Sequence, residues 1–352
     1  MPLRRSMSNP TPLPAKSQGA PTPAHFTLVL VICLIVLGIC MLASLAFGSR
    51  IIAFQDVVDG LFNPSIDSYE AGVVGQRMTR TVFGLLCGGA LGIAGALMQA
   101  VTRNPIADPS ILGVNTGASL FVVIGIAFLN IGSASQYILF ACLGAALTAL
   151  FVLGIGSMGS GGPTPVKLVL AGAATSAVLS SLVSAIIIPR SNVMDQVRRW
   201  QVGSVGGASW DDIVTFAPLF VVGVLIAVIT APALNALALG DETATGLGVR
   251  TGVLRLVASL AAVVLCGTVT AFAGPIGFVG LLATHLIRLM LGPDQRFLIP
   301  MSALVGAIVL TGSDVVGRIL GRPGELEVAI VTAFIGAPIL IIVAIRSKVR
   351  AL

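Results

Sequence analysis

PSILGVNTGASLFVVIGIAFLNIGSASQYILFACLGAALTALFVLGIGSMGSGGPTPV, residues 109–166, contains no Asp, Glu, Lys or Arg. A helix needs about 20 mostly apolar residues to cross bilayer hydrocarbon, where the backbone must satisfy its own hydrogen bonds. This run is too long for one crossing. The turn-forming quartet Asn130-Ile131-Gly132-Ser133 divides it into two spans. Working outward, further charge-free runs occupy 26–49, 81–102, 168–189, 213–240, 256–287, 297–313 and 328–345, and Gly274-Pro275 divides 256–287. Eight runs, two of them divided, give ten spans, the stretch 299–313 being short for a crossing.

Composition points the same way. Of 352 residues, 56% are hydrophobic and only 10% are charged, against about 25% charged in soluble domains. The 41 glycines suit close helix approach in lipid. The net charge of +6 is scattered and aromatics are only 5%, so no basic stripe with stacking side chains exists for nucleic acid. The five cysteines, Cys33, Cys40, Cys87, Cys142 and Cys266, lie in apolar stretches with no CxxC pair, and read as small buried hydrophobes. The expected fold class is an all-α integral membrane protein of about ten transmembrane helices. Residues 1–24, rich in Pro, Ser and Thr, form a flexible cytoplasmic tail. Residues 25–352 form a single transmembrane domain, its first run His25–Phe47 being a retained span.

Orientation follows from the basic residues. With the N-terminus cytoplasmic, 12 of the 20 Lys and Arg fall on the cytoplasmic side, leaving 8 outside. That bias obeys the positive-inside rule and places both termini in the cytoplasm.

The chain lacks catalytic equipment. No Gly precedes Lys16, Lys167 or Lys348, so there is no GxxxxGK[ST] phosphate loop. His25 and His285 are too few and too distant for a His-rich metal site, and neither HExxH nor GxSxG occurs. No metal or cofactor is expected. Charges sit at span ends rather than at midplane, which argues against an ion-coupled secondary transporter. A membrane enzyme would need a catalytic cluster, and none is seen.

Several polar segments stand out. Arg77-Met78-Thr79-Arg80 places two guanidinium groups on one side at the expected outer start of the second span. Docking of an acidic partner and anchoring to lipid phosphate are equally good readings. Arg103-Asn104-Pro105-Ile106-Ala107-Asp108-Pro109 cannot continue a helix and forms a rigid cytoplasmic connector. Leu237-Ala238-Leu239-Gly240-Asp241-Glu242-Thr243-Ala244-Thr245-Gly246-Leu247-Gly248 lies in the longest internal cytoplasmic loop. There Gly240 ends one element, and Asp241 with Glu242 opens a short surface helix closing at Gly246 to Gly248. A plain connecting loop is the bland alternative. Ser313-Asp314-Val315-Val316-Gly317-Arg318 carries another outer-face charged pair.

Read in order, RNPIADP (103–109), LGDETATGLG (239–248), GPIGFVGLLATHLIR (274–288), SDVVGR (313–318) and GELEVAIVTAFIGAPILI (324–341) resemble the FecCD family. These are permease subunits of type II ABC importers for iron–siderophores, haem and vitamin B12. The likeness runs from about residue 26 to the end. RRWQVGS (198–204) and PGELEV (323–328) are most similar to its ferric enterobactin-type members. One departure is visible: Thr284 stands where the family usually has Pro before His, which removes a kink point.

The resemblance implies a permease pair enclosing the substrate path, a heterodimer with a second FecCD-type subunit being favoured over a homodimer. It implies two ATP-hydrolysing subunits engaging Ala238, Leu239, Gly240, Asp241, Glu242, Thr243, Ala244, Gly246 and Gly248, within a coupling segment of about 235–250. It also implies an external substrate-binding protein docking on Arg77, Arg80 and Arg318. The connector holds Arg103, Asn104, Pro105, Asp108 and Pro109. The implied cargo is a ferric siderophore of enterobactin type, with haem or vitamin B12 as alternatives.

Overall fold

Each expected break is a helix boundary in the structure, because each carries residues that leave helical φ/ψ cheaply. The computed structural model describes residues 22–48, 69–158, 165–190, Met194, Val197 and 201–349. The tail reading for 1–24 falls almost wholly outside them, as do Arg198 and Arg199. The helices are α1 (Pro23–Ala46), α2 (Tyr69–Thr102), α3 (Val114–Leu129), α4 (Ala134–Ser157), α5 (Pro165–Ile187), α6 (Trp210–Ala238), α7 (Asp241–Gly246), α8 (Thr251–Ala273), α9 (Val279–Leu291), α10 (Gln295–Leu320) and α11 (Val328–Val349). A 3₁₀ turn, Pro109–Leu112, precedes α3. No strand occurs among the described residues.

Asn130 ends α3 at φ 53°, and Ser133 caps α4, its hydroxyl accepting from the Gln136 amide while the Gln136 side chain reaches back. Gly274 ends α8 at φ 73°, in the left-handed region that favours glycine. Ser209 caps α6 through the same reciprocal arrangement with Asp212.

Among the described residues, seven helices are long and apolar enough to cross a membrane: α1, α2, α4, α5, α6, α8 and α10. Three shorter apolar helices, α3, α9 and α11 (its apolar part Val328–Ile342), complete ten, matching the expected number. Two boundaries differ most from expectation. The second span begins at Tyr69, not near residue 81, and the ninth runs to Leu320, making it 26 residues rather than a short crossing. In both cases the helix continues through charged residues that the sequence reading took as span ends. The cause is that those charges are matched inside the bundle, as described below.

The bundle is built around α2. Of its most apolar window 83% is buried, against 22% for α1 and α6 and 17% for α5. Phe83, Ile93, Leu97 and Met98 of α2 are fully enclosed. The Phe83 ring meets Phe272 of α8 edge-on at 6.2 Å and Phe216 of α6 at 6.4 Å. The outer helices expose continuous aliphatic faces such as Val221, Val222, Leu225, Val228 and Ile229 on α6. In water such a surface would drive association, whereas in lipid it is solvated.

Candidate functional site

The outer end of α1 shows why arginines are placed there. A helix leaves its last carbonyls without intrahelical partners, and in a membrane protein that deficit is costly. Here three arginines from two other helices and their ends supply the donors. Arg318 Nη1 donates to the Ser44 and Phe47 carbonyls at 3.0 and 3.1 Å. Arg77 Nη1 donates to the Leu45 and Ala46 carbonyls at 2.8 and 2.9 Å. Arg322 donates through Nε and Nη2 to the Gly48 carbonyl at 3.0 and 2.7 Å. Positive charge at a helix C-terminus is also favoured by the helix dipole.

Asp314 neutralises part of this cluster. It accepts a fork from Arg80, Nη2 to Oδ1 at 2.7 Å and Nε to Oδ2 at 3.0 Å, and a second contact from Arg318 Nη2 at 3.0 Å. Arg80 Nη1 also meets Glu325 at 2.7 Å. Arg318 is 1% exposed, Asp314 3% and Arg77 7%.

The sequence put Arg77, Arg80 and Arg318 at the outer face, with Arg77 and Arg80 at a helix start. They stand instead within α2 and α10 and face inward. Arg77 lies more than two turns inside α2. Ser44, Arg322 and Glu325 were missed, and only the Asp314–Arg318 spacing of four hinted at the network.

At the cytoplasmic end the structure joins two segments that the sequence kept apart. The connector leaves α2 at Arg103, φ 51°, and Asn104 Oδ1 accepts from the Ile106 amide at 3.2 Å. The Pro109 turn follows, and Asp108 is buried. The loop after α6 turns at Gly240, φ 111°, and closes at Gly248, φ 85°, with α7 between them as expected. Asp241, the first residue of α7, accepts from Arg255 Nη2 at 2.8 Å and lies 3.4 Å from Arg103 Nη2. Exposed pairs of this kind contribute about 0–1 kcal/mol each, so their role is to position rather than to stabilise.

Only Ala244 of α7 is buried. Glu242, Thr243, Gly246 and Gly248 are exposed, and so are the flanking Leu239 and Leu247, at 66% and 64%. Ala238 closes α6. Arg255 was not foreseen; it lies in the second turn of α8, and nothing local marks it.

Close to the same end a polar relay joins α2 and α9. Arg288 Nη2 donates to Gln99 Oε1 at 2.7 Å, and Gln99 Nε2 donates to Thr284 Oγ1 at 2.6 Å. Thr284 in turn donates to the Gly280 carbonyl at 2.8 Å. The residue that departs from the family pattern is thus a buried acceptor. Thr284→Val keeps the shape but strands a buried Gln99 N–H. The expected loss is about 1–3 kcal/mol, read as a lower midpoint of thermal unfolding in detergent. An unchanged midpoint would show that Gln99 finds another partner.

The structure is thus a polytopic helical bundle with an internally clamped outer end and a short exposed helix at the cytoplasmic end. The chain belongs to the FecCD transport family, whose model matches residues 34–346. It is 42% identical over 319 residues to the ferric enterobactin transport system permease protein FepD of Escherichia coli (strain K12), covering 90% of this chain and 94% of that protein. It is 40% identical over 334 residues to the Fe(3+)-citrate import system permease protein YfmD of Bacillus subtilis (strain 168), covering 95% and 98%. Its fold is similar to that of a metal-chelate type ABC transporter solved in an inward-facing conformation, with a TM-score of 0.76, 26% identity, and coverage of 91% of this chain and 99% of that one. It is a multi-pass protein of the bacterial cytoplasmic membrane.

Proposed function

We propose that this chain is the membrane-spanning permease subunit of an ABC importer that carries a ferric siderophore, of catecholate type, into the cytoplasm. One observation carries the reading beyond family membership. The loop after α6 holds a short helix, α7, tethered by one buried alanine and flanked by Leu239 and Leu247, both exposed in the aqueous zone. An exposed apolar pair on a small, separately mounted helix fits insertion into a groove of a partner. With no phosphate loop in this chain, that partner is the ATP-hydrolysing subunit, present twice in the complex.

The permease partner is a second FecCD-type subunit, and α5 is the face that meets it. From Val214 onward the exposed residues of α6 are all apolar, whereas α5 also exposes Ser180, Ser181 and Ser184. Hydroxyl groups facing out of a bundle fit an interface or a wet path better than lipid.

At the outer end an external binding protein docks. Arg77, Arg80 and Arg318 serve that docking by holding the end of α1 in place, while Arg322 and Glu325, both exposed, offer charge at the surface. No metal or other cofactor belongs to the permease itself; iron enters only as cargo.

The test is transport in proteoliposomes holding the complete complex and its binding protein. Uptake of ferric siderophore is expected to survive collapse of the proton gradient and to stop when ATP is withdrawn. The opposite pattern would overturn the reading in favour of ion coupling.

A further inference from the structure

We propose that a groove at the cytoplasmic end of the bundle is a binding site for an anionic phospholipid of phosphatidylglycerol or cardiolipin type, whose phosphate sits on Arg103 and Arg255. The cavity has a volume of about 510 Å³ and lies between the cytoplasmic ends of α2, α4, α5 and α8. Its lining on α8 runs from Arg255 to Val263, a depth of about 12 Å at 1.5 Å per residue. Below the two arginines the walls are almost wholly aliphatic. Leu150, Leu256 and Leu260 are both lining residues and exposed, at 53%, 52% and 42%, so the groove opens sideways into the bilayer. A site that is apolar below, cationic at the interface and open to lipid has the division of a phospholipid.

Charge selects the headgroup. Arg103 and Arg255 share one carboxylate, Asp241, giving the trio a net charge of +1. Arg255 Nε is buried without a hydrogen-bond partner. A guanidinium presents five donors in a planar fork suited to phosphate, and here Asp241 occupies only part of that capacity. A headgroup with its own ammonium would add redundant positive charge, so the anionic classes are favoured over the zwitterionic ones.

The site also touches coupling. Asp241 opens α7, so phosphate and Asp241 compete for the same two arginines. A bound anionic lipid would loosen the hold on α7. This consequence rests on the assignment of α7 to the ATPase contact, but the binding itself does not.

The experiment measures lipid retained by the purified full-length chain, by native mass spectrometry from mixed micelles of phosphatidylglycerol, cardiolipin and phosphatidylethanolamine. Wild type is expected to retain the anionic lipids at least fivefold over phosphatidylethanolamine. The Arg103→Gln/Arg255→Gln variant is expected to lose that preference. Leu260→Trp, which fills the groove and spares both arginines, is expected to lose retention of all three lipids. Asp241→Asn frees both arginines and is expected to raise anionic retention severalfold. Equal retention of the three lipids by wild type would overturn the proposal, as would an unchanged preference in the double arginine variant or lower retention in Asp241→Asn. Inorganic phosphate displacing the lipid at millimolar concentration would overturn it too, since the acyl groove would then contribute nothing. Because the readout is bound mass, a failure of ATP-driven transport leaves this result standing, and the reverse.

Discussion

Asp314→Ala is expected to destabilise the permease by about 3–5 kcal/mol, the cost of leaving buried charge without its partner. Asp314 is 3% exposed and accepts from both Arg80 and Arg318. Its removal leaves Arg80 only Glu325, which stands at the exposed rim, and leaves Arg318 only neutral acceptors from α1. Arg318 would still have to stay inside, because its Nη1 caps two carbonyls of α1. The damage therefore spreads to the end of α1, where Arg77 would keep its own bonds to the Leu45 and Ala46 carbonyls but the bonds to Ser44 and Phe47 depend on Arg318. Thermal unfolding in detergent should fall by roughly 10 °C.

Asp314→Asn should cost less, since it keeps an acceptor and loses the charge. The double variant Asp314→Ala/Arg80→Met should recover part of the loss, because removing both members of a buried pair is milder than removing one. If the double variant is as unstable as the sum of the two single variants, the pair carries no coupling and the network reading fails.

This cluster also marks where the sequence misled. In one dimension an Arg or Asp ends an apolar run, so Arg80 and Asp314 looked like the ends of spans. They are 234 residues apart in the chain, and each cancels the other's charge. A pairing of that separation leaves no periodic trace. The same holds for Ser44, an ordinary small residue in an apolar helix until its carbonyl is seen to end at Arg318. By contrast, the breaks at Asn130 and Gly274 and the small helix from Asp241 were legible, because Gly, Asn and Pro act locally through φ. The meeting of Arg103 with Asp241 was not legible either: each segment was identified alone, and the bundle brings them together through the unremarkable Arg255. Local backbone chemistry can be read from sequence; which charges meet is decided by packing.

Packing around α2 rests on its glycines, and Gly92→Val is expected to be the most disruptive single change among them, at about 3 kcal/mol, the upper part of the usual range for overpacking. Gly88, Gly92 and Gly95 follow one another at spacings of four and three, and so lie along one face of α2. A Cβ on Gly92 would fall on the Ser302 carbonyl oxygen of α10. One on Gly88 would come within 2.8 Å of the Ala307 Cα, and one on Gly95 within 2.6 Å of the Gly280 Cα of α9. The obstacle in each case is backbone, which cannot swing aside as a side chain would. Helix association in lipid depends on such close van der Waals contact, with no hydrophobic force between helices to restore it once the axes separate. The sign can be isolated within the same helix. Gly75 has nothing within 4 Å of an added Cβ, so Gly75→Ala should gain up to about 1 kcal/mol of helix propensity. Gly92→Ala gains the same propensity and should still lose stability. If both alanine variants raise the unfolding midpoint, helix propensity outweighs contact and α2 is not held by its glycines. If they move in opposite directions, the contact sets the position of α2. That helix carries Arg77 and Arg80 toward one end and Gln99 toward the other, with Arg103 directly after it, so a shift of its axis reaches the outer clamp and the cytoplasmic triad together.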